Sequence, residues 1–113
     1  MKKKSLLILL AFIALPFLSI AHAPKKMDAA YNSDTGILKI TVPHKVKNVK
    51  THYIDAITLT IDENEIVKTY AEQSSKESHV VEIQLDKYAA GTIIDISASC
   101  NKLGSKKAQV TVE

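Results

Sequence analysis

The sequence has no arginine and no tryptophan, one cysteine, three glycines and three prolines. A nucleic-acid-binding surface combines a basic stripe with aromatic side chains for stacking; with no arginine and no tryptophan to build one, nothing here suggests nucleic acid as a partner. A single cysteine cannot close an internal disulfide or hold a four-cysteine metal centre. Glycine-rich phosphate loops and the paired histidines of a metalloprotease helix are absent as well. Cys100 has no helix N-terminus beside it to activate a nucleophilic thiolate, so thiol catalysis has no support.

What is present begins with "MKKK", a basic start, followed by the apolar run "SLLILLAFIALPFLSI" broken at Pro16. The run is about 16 residues, shorter than the roughly 20 that span a bilayer, and small residues follow at Ser19, Ala21 and Ala23. This pattern is that of a secretory signal peptide. It implies export, to a periplasm or to the outside, with no membrane anchor after cleavage. A cut after Ala23 would put Pro24, with its tertiary amide and fixed φ, just past the scissile bond. A cut after Ala21 avoids this and leaves His22-Ala23-Pro24 as the new N-terminus. Residues 1–21 (1–23 for the later cut) are thus expected to leave, and residues 22–113 to form one small domain.

Three of the 15 lysines go with the signal, so 12 lysines face 12 acidic residues in the remainder. The basicity of the whole chain belongs to targeting. One local exception is "HKVKNVK", where Lys45, Lys47 and Lys50 read either as a solvated loop or as an electropositive rim that attracts small anions.

Beyond the signal the apolar residues recur with period two, which argues strands. "GILKITV" places Leu38, Ile40 and Val42 on one face, and "NSDTG" before it is a turn that folds "MDAAY" back as a hairpin partner. In "THYIDAITLTI" the phase of Ile57, Leu59 and Ile61 conflicts with that of His52, Ile54 and Ala56, which predicts a bulge or a change of buried face near Asp55. "DEN" turns the chain into "EIVKTYA", weakly amphipathic and suited to a sheet edge. "HVVEIQL" sends Val81, Ile83 and Leu85 inward. "TIIDISASC" alternates Ile94, Ile96, Ala98 and Cys100, and "AQVTVE" alternates Ala108, Val110 and Val112. About seven short strands without a convincing helix predict an all-β fold, an immunoglobulin-like antiparallel β-sandwich.

The side chains able to carry chemistry are His22, His44, His52, His79 and Cys100. Taken singly each has a plain structural reading. Cys100 is in phase with core residues and reads as a small buried hydrophobe, and the histidines sit at strand ends, where polar residues are ordinary. Their joint placement at strand ends is what points to a metal.

"VPHKVKNVKTHYIDAITL", followed by "ASCNKLG", resembles the iron-binding domain of the desulfoferrodoxin and neelaredoxin family, the superoxide reductases. That family has V-P-H-P, then H-Y/W-I-E-W-I-E-L on a strand, then Y-C-N-x-H-G near the C-terminus. The resemblance runs from about Met27 to Glu113. It implies a mononuclear non-haem iron with histidines in a plane and an axial cysteine thiolate that tunes the metal, and a reaction reducing superoxide to peroxide with electrons from a donor protein. His44 and His52 match family histidines, Cys100 matches the axial thiolate, and His22-Ala23-Pro24 stands where the family has its first histidine. Leu103 occupies the place of the family's last histidine, Ala56 and Thr58 replace the strand's Trp and second Glu, and Ile20 and Ala21 replace the Glu-Lys pair before the first histidine. The resemblance therefore implies the ligand set His22, His44, His52 and Cys100, completed by the α-amine, by His79 or by water. It leaves Lys45, Lys47 or Lys50 to stand in for the lysine that guides the anion.

Three readings stay open at this level: a superoxide-reductase-like enzyme, a non-catalytic binder of iron or copper, and a metal-free interaction module. An α-amine and imidazole at His22 would suit copper. Nothing in the sequence fixes the oligomeric state.

Overall fold

The computed structural model describes residues 26–113. The expected signal peptide, its cleavage point and His22 lie outside the described residues.

Seven strands make up this part of the chain: β1 (Asp28–Asn32), β2 (Ile37–Pro43), β3 (Ile54–Ile61), β4 (Asn64–Thr69), β5 (Ser78–Gln84), β6 (Ile93–Cys100) and β7 (Ser105–Thr111). They form two antiparallel sheets, β1-β2-β5 and β4-β3-β6-β7. The expected all-β sandwich of seven strands is the observed fold.

The alternating residues meet between the sheets. Leu38, Ile40 and Val42 of β2, Ile57, Leu59 and Ile61 of β3, and Ile94, Ile96 and Ala98 of β6 are each at most 2% exposed. Full burial of such a side chain contributes about 1.5–3 kcal/mol, and nine in one cluster account for a single stable core. β4 buries no residue fully and half-buries only Ile66, as expected of an edge.

The register of β3 against β6 shifts between Ile54 and Ala56, where Ile54 pairs with Cys100 and Ala56 with Ser99. Asp55 is the extra residue. This bulge changes the inward set from even positions (Ile54) to odd ones (Ile57, Leu59, Ile61), so the strand serves the core without a slip that would expose it. Ser99 Oγ donates to Asp55 Oδ1 at 3.0 Å and Tyr70 N–H to Asp55 O at 2.8 Å, pinning the bulge.

The two ends of the sandwich are built differently. At one end, called here the far end, tight turns 33–36 and 62–63 and the 85–92 segment reverse the chain. Gly36 has φ +78°, and a Cβ there would lie 2.6 Å from Leu85 O, so only glycine fits. Asp62 and Glu63 both have positive φ, 49° and 68°, the geometry of a two-residue hairpin turn whose twist matches its strands. The other end carries segments 44–53, 70–77 and 101–104, and with them every described residue expected to bind metal.

Candidate metal centre

β2 stops at Pro43, whose ring has no N–H for the ladder. The chain nevertheless stays beside the segment leading into β5: His44 N–H donates to Glu77 O at 3.1 Å and Val46 N–H to Lys76 O at 2.8 Å. Val46 is buried at 7% exposure, so the lysine-rich loop is anchored by its one central apolar residue while Lys45 and Lys47 stay exposed.

Asn48 then turns the chain. Its Oδ1 accepts Lys50 N–H at 2.9 Å, and its carbonyl accepts the N–H groups of Thr51 (3.3 Å) and His52 (3.1 Å). This side-chain-capped turn delivers His52 next to the strand carrying Cys100. Asn101 locks it: Oδ1 accepts Tyr53 N–H at 2.9 Å, Nδ2 donates to Thr51 O at 3.0 Å, and the Asn101 N–H donates to Tyr53 O at 3.0 Å. Cys100 itself is held by its N–H to Gly104 O at 3.0 Å, and its Sγ accepts Lys102 N–H at 3.4 Å.

Together these devices bring His44, His52 and Cys100 so close that one ligand atom from each lies within 4.8 Å of the others. Two donors bound to one metal at roughly 2.0–2.3 Å are about 3–4.5 Å apart, so the three need only a small closure. The two imidazole rings meet edge-on, centroids 4.9 Å apart at 88°, and all three side chains are half-buried. Nitrogen and thiolate donors in this mixture suit a transition metal and do not suit calcium or magnesium.

Two clefts reach the cluster. One, about 150 Å³, is lined by His44 and Cys100 with Ile54, Ala98, Leu103 and Lys106. The other, about 560 Å³ and open, is lined by His52, Lys45, Lys47 and Lys102 among others. Lys50, expected alongside Lys45 and Lys47, is not among its lining residues, and Lys102 is. Lys106 Nζ donates to Pro43 O.

No protein-family model and no curated protein matches the chain. Among solved structures it is similar to two variant forms of the superoxide reductase (neelaredoxin) of Ignicoccus hospitalis. One has a TM-score of 0.50 and 15% identity, covering 83% of this chain and 84% of that one; the other has a TM-score of 0.50 and 14% identity, covering 78% of each. The chain has a superoxide reductase fold. At such identity the likeness concerns architecture, and what the cluster does has to be argued from its own residues.

Leu103 is 89% exposed at the rim of the smaller cleft and adds no donor. His79, offered by the sequence as a further ligand, is placed away from the cluster. It is 3% exposed, its Nδ1 accepts Ser74 N–H at 3.1 Å, and its ring packs edge-on against Tyr70 at 4.5 Å. Its phase with Val81 and Ile83 on β5 was the sequence signal for burial. Desolvation lowers its pKa from the ordinary histidine value.

Nothing in the sequence singles out Gln73. This side chain is 2% exposed and makes four hydrogen bonds at the base of the cluster: Oε1 lies 2.8 Å from His44 Nδ1 and accepts Ile54 N–H at 3.3 Å, while Nε2 donates to His44 O at 2.6 Å and to Ser75 O at 2.8 Å.

Proposed function

We propose that this protein is exported and binds one non-haem iron through His44, His52 and Cys100, with His22 as a further ligand after cleavage at Ala21, and that it reduces superoxide. The observation that carries the reading is the convergence of two imidazoles and a cysteine sulfur from three separate segments on one point, in a fold shared with superoxide reductases. β1 begins at Asp28, paired with Thr41 two residues before Pro43, so the described chain starts at the end of the sandwich that holds the cluster. This supports His22 as a ligand.

Bound iron would supply one electron per superoxide, which gains two protons and leaves as hydrogen peroxide; an electron-donor protein must return the electron. The chain's own residues bind and steer. His44 and His52 offer neutral nitrogen donors, Cys100 offers a thiolate whose sulfur is held by the Lys102 N–H, and a hydrogen bond to such a sulfur tunes its electron donation. Lys45, Lys47 and Lys102 surround the cleft beside His52, and positive charge there raises the local concentration of a small anion.

Exposed Leu103, where the family has a histidine, favours a second reading, in which the cluster holds iron or copper without turnover. Elemental analysis of anaerobically purified protein, with its N-terminal mass, tests the proposal. The expected result is about one iron per chain and a start at His22. Copper in place of iron, or bound iron without superoxide turnover, selects the second reading, and absence of bound metal after loading contradicts both.

A further inference from the structure

The geometry points to Gln73 as a positioning residue that fixes His44 in the tautomer with Nδ1 protonated and the Nε2 lone pair free, and so makes this histidine a ligand. The amide's orientation follows from its backbone partners. Nε2 faces two carbonyls, His44 O and Ser75 O, and Oε1 faces the Ile54 N–H. Reversing the amide would set its oxygen against two carbonyl oxygens and its NH2 against an N–H, losing three bonds in a nearly inaccessible site. With Oε1 fixed in place, the atom 2.8 Å from it, His44 Nδ1, has to be the donor. A neutral imidazole with a proton on Nδ1 carries its lone pair on Nε2.

The next residue does the opposite to a second histidine. Ser74 N–H donates to His79 Nδ1, which uses that lone pair and puts the proton on Nε2. His79 Nε2 is buried and has no hydrogen-bond partner among the described residues. Gln73 and Ser74, adjacent in one loop, thus hold two histidines in opposite tautomers. His44 is left with an available donor nitrogen and His79 with none. Gln73 N–H also donates to Val49 O at 3.0 Å, which ties the positioning loop to the loop that delivers His52.

The tautomer stands on the metal-free contacts alone; its consequence for a metal rests on the function proposed above. Long-range proton–nitrogen correlation spectra of the full protein without metal, at about pH 8, above the ordinary histidine range, read both rings. Expected are Nδ1–H with unprotonated Nε2 for His44, and the reverse for His79, which serves as the internal reference. His44 protonated on Nε2 overturns the inference without need of any variant. In Gln73→Met, similar in length and without the amide, His44 should change to Nε2–H, and the dissociation constant for Fe(II) should rise by roughly 10–100-fold. A folded Gln73→Met protein with an unchanged tautomer and unchanged affinity overturns it. If the wild type shows the expected tautomers and binds no metal, the proposed function fails while the positioning by Gln73 is supported.

Discussion

The two ends of this sandwich reverse the chain under different demands: one only turns it, the other also gathers His44, His52 and Cys100. At the far end, positive φ at Gly36, Asp62 and Glu63 and backbone bonds such as Leu85 N–H to Gly36 O at 2.8 Å combine with side-chain bonds: Asn32 Oδ1 accepts the Asp34 N–H, Gln84 Nε2 donates to Thr35 O and the Tyr31 hydroxyl donates to Asp86 O. At the metal end, the amide side chains of Gln73 and Asn101 hold longer loops through bonds across the fold, and Asn48 caps a local turn. Loops that must present three donor side chains at a point need side-chain hydrogen bonds to fix them. The comparison therefore predicts that stability can be altered at the far end without touching metal binding, and that the two move together at the metal end.

The largest effect on stability is expected from Gly36→Ala. The new Cβ would meet Leu85 O and the backbone would remain at positive φ, so a loss of about 2 kcal/mol or more is expected, read by urea unfolding, with metal affinity unchanged in the folded fraction. A parallel fall in affinity would break the comparison. Asn101→Ala removes the two side-chain bonds that hold residues 51–53 beside Cys100 and should lower stability by about 1–2 kcal/mol. Here metal affinity should fall as well, and a titration showing wild-type affinity would contradict the role given to this clamp.

A third effect depends on pH. Burial lowers the pKa of His79 below its unfolded value of 6.5, so the unfolded chain binds the proton more readily. The stability that neutral His79 contributes is complete above about pH 6.5 and is lost as pH falls through the depressed native value. Denaturation midpoints measured across that range should decline toward acid, and the decline should be weaker in His79→Gln. The smallest effect is a gain: Glu63→Gly relieves a positive φ of 68° in an exposed turn and should add about 0.5–1 kcal/mol, visible as a higher melting temperature with the metal site undisturbed.

The same contrast explains what was legible in the sequence. Strands were legible because alternation is local: Leu38-Ile40-Val42 and Ile94-Ile96-Ala98 fix their own faces, and the phase conflict around Asp55 marked the place of a bulge or a change of buried face, which the register shows to be a bulge. Far-end turns were legible for the same reason, since "NSDTG" and "DEN" contain their own reversal. At the metal end, His44, His52 and Cys100 could be picked out by motif, but the residue that orients His44 could not. Gln73 lies 29 positions away, in a polar stretch where nothing local separates it from its neighbours. His79 shows the converse. As a residue type it qualified as a ligand; its phase with Val81 and Ile83 signals burial, and its contacts with Ser74 and Tyr70 remove it from the site.

The central claim is that His44, His52 and Cys100 share one metal, and the thiolate gives the most direct test. Iron-loaded protein, oxidised, should show a thiolate-to-iron(III) charge-transfer absorption that disappears in Cys100→Ser while the strand fold persists by circular dichroism. A spectrum that is the same in the wild type and in Cys100→Ser would contradict the account.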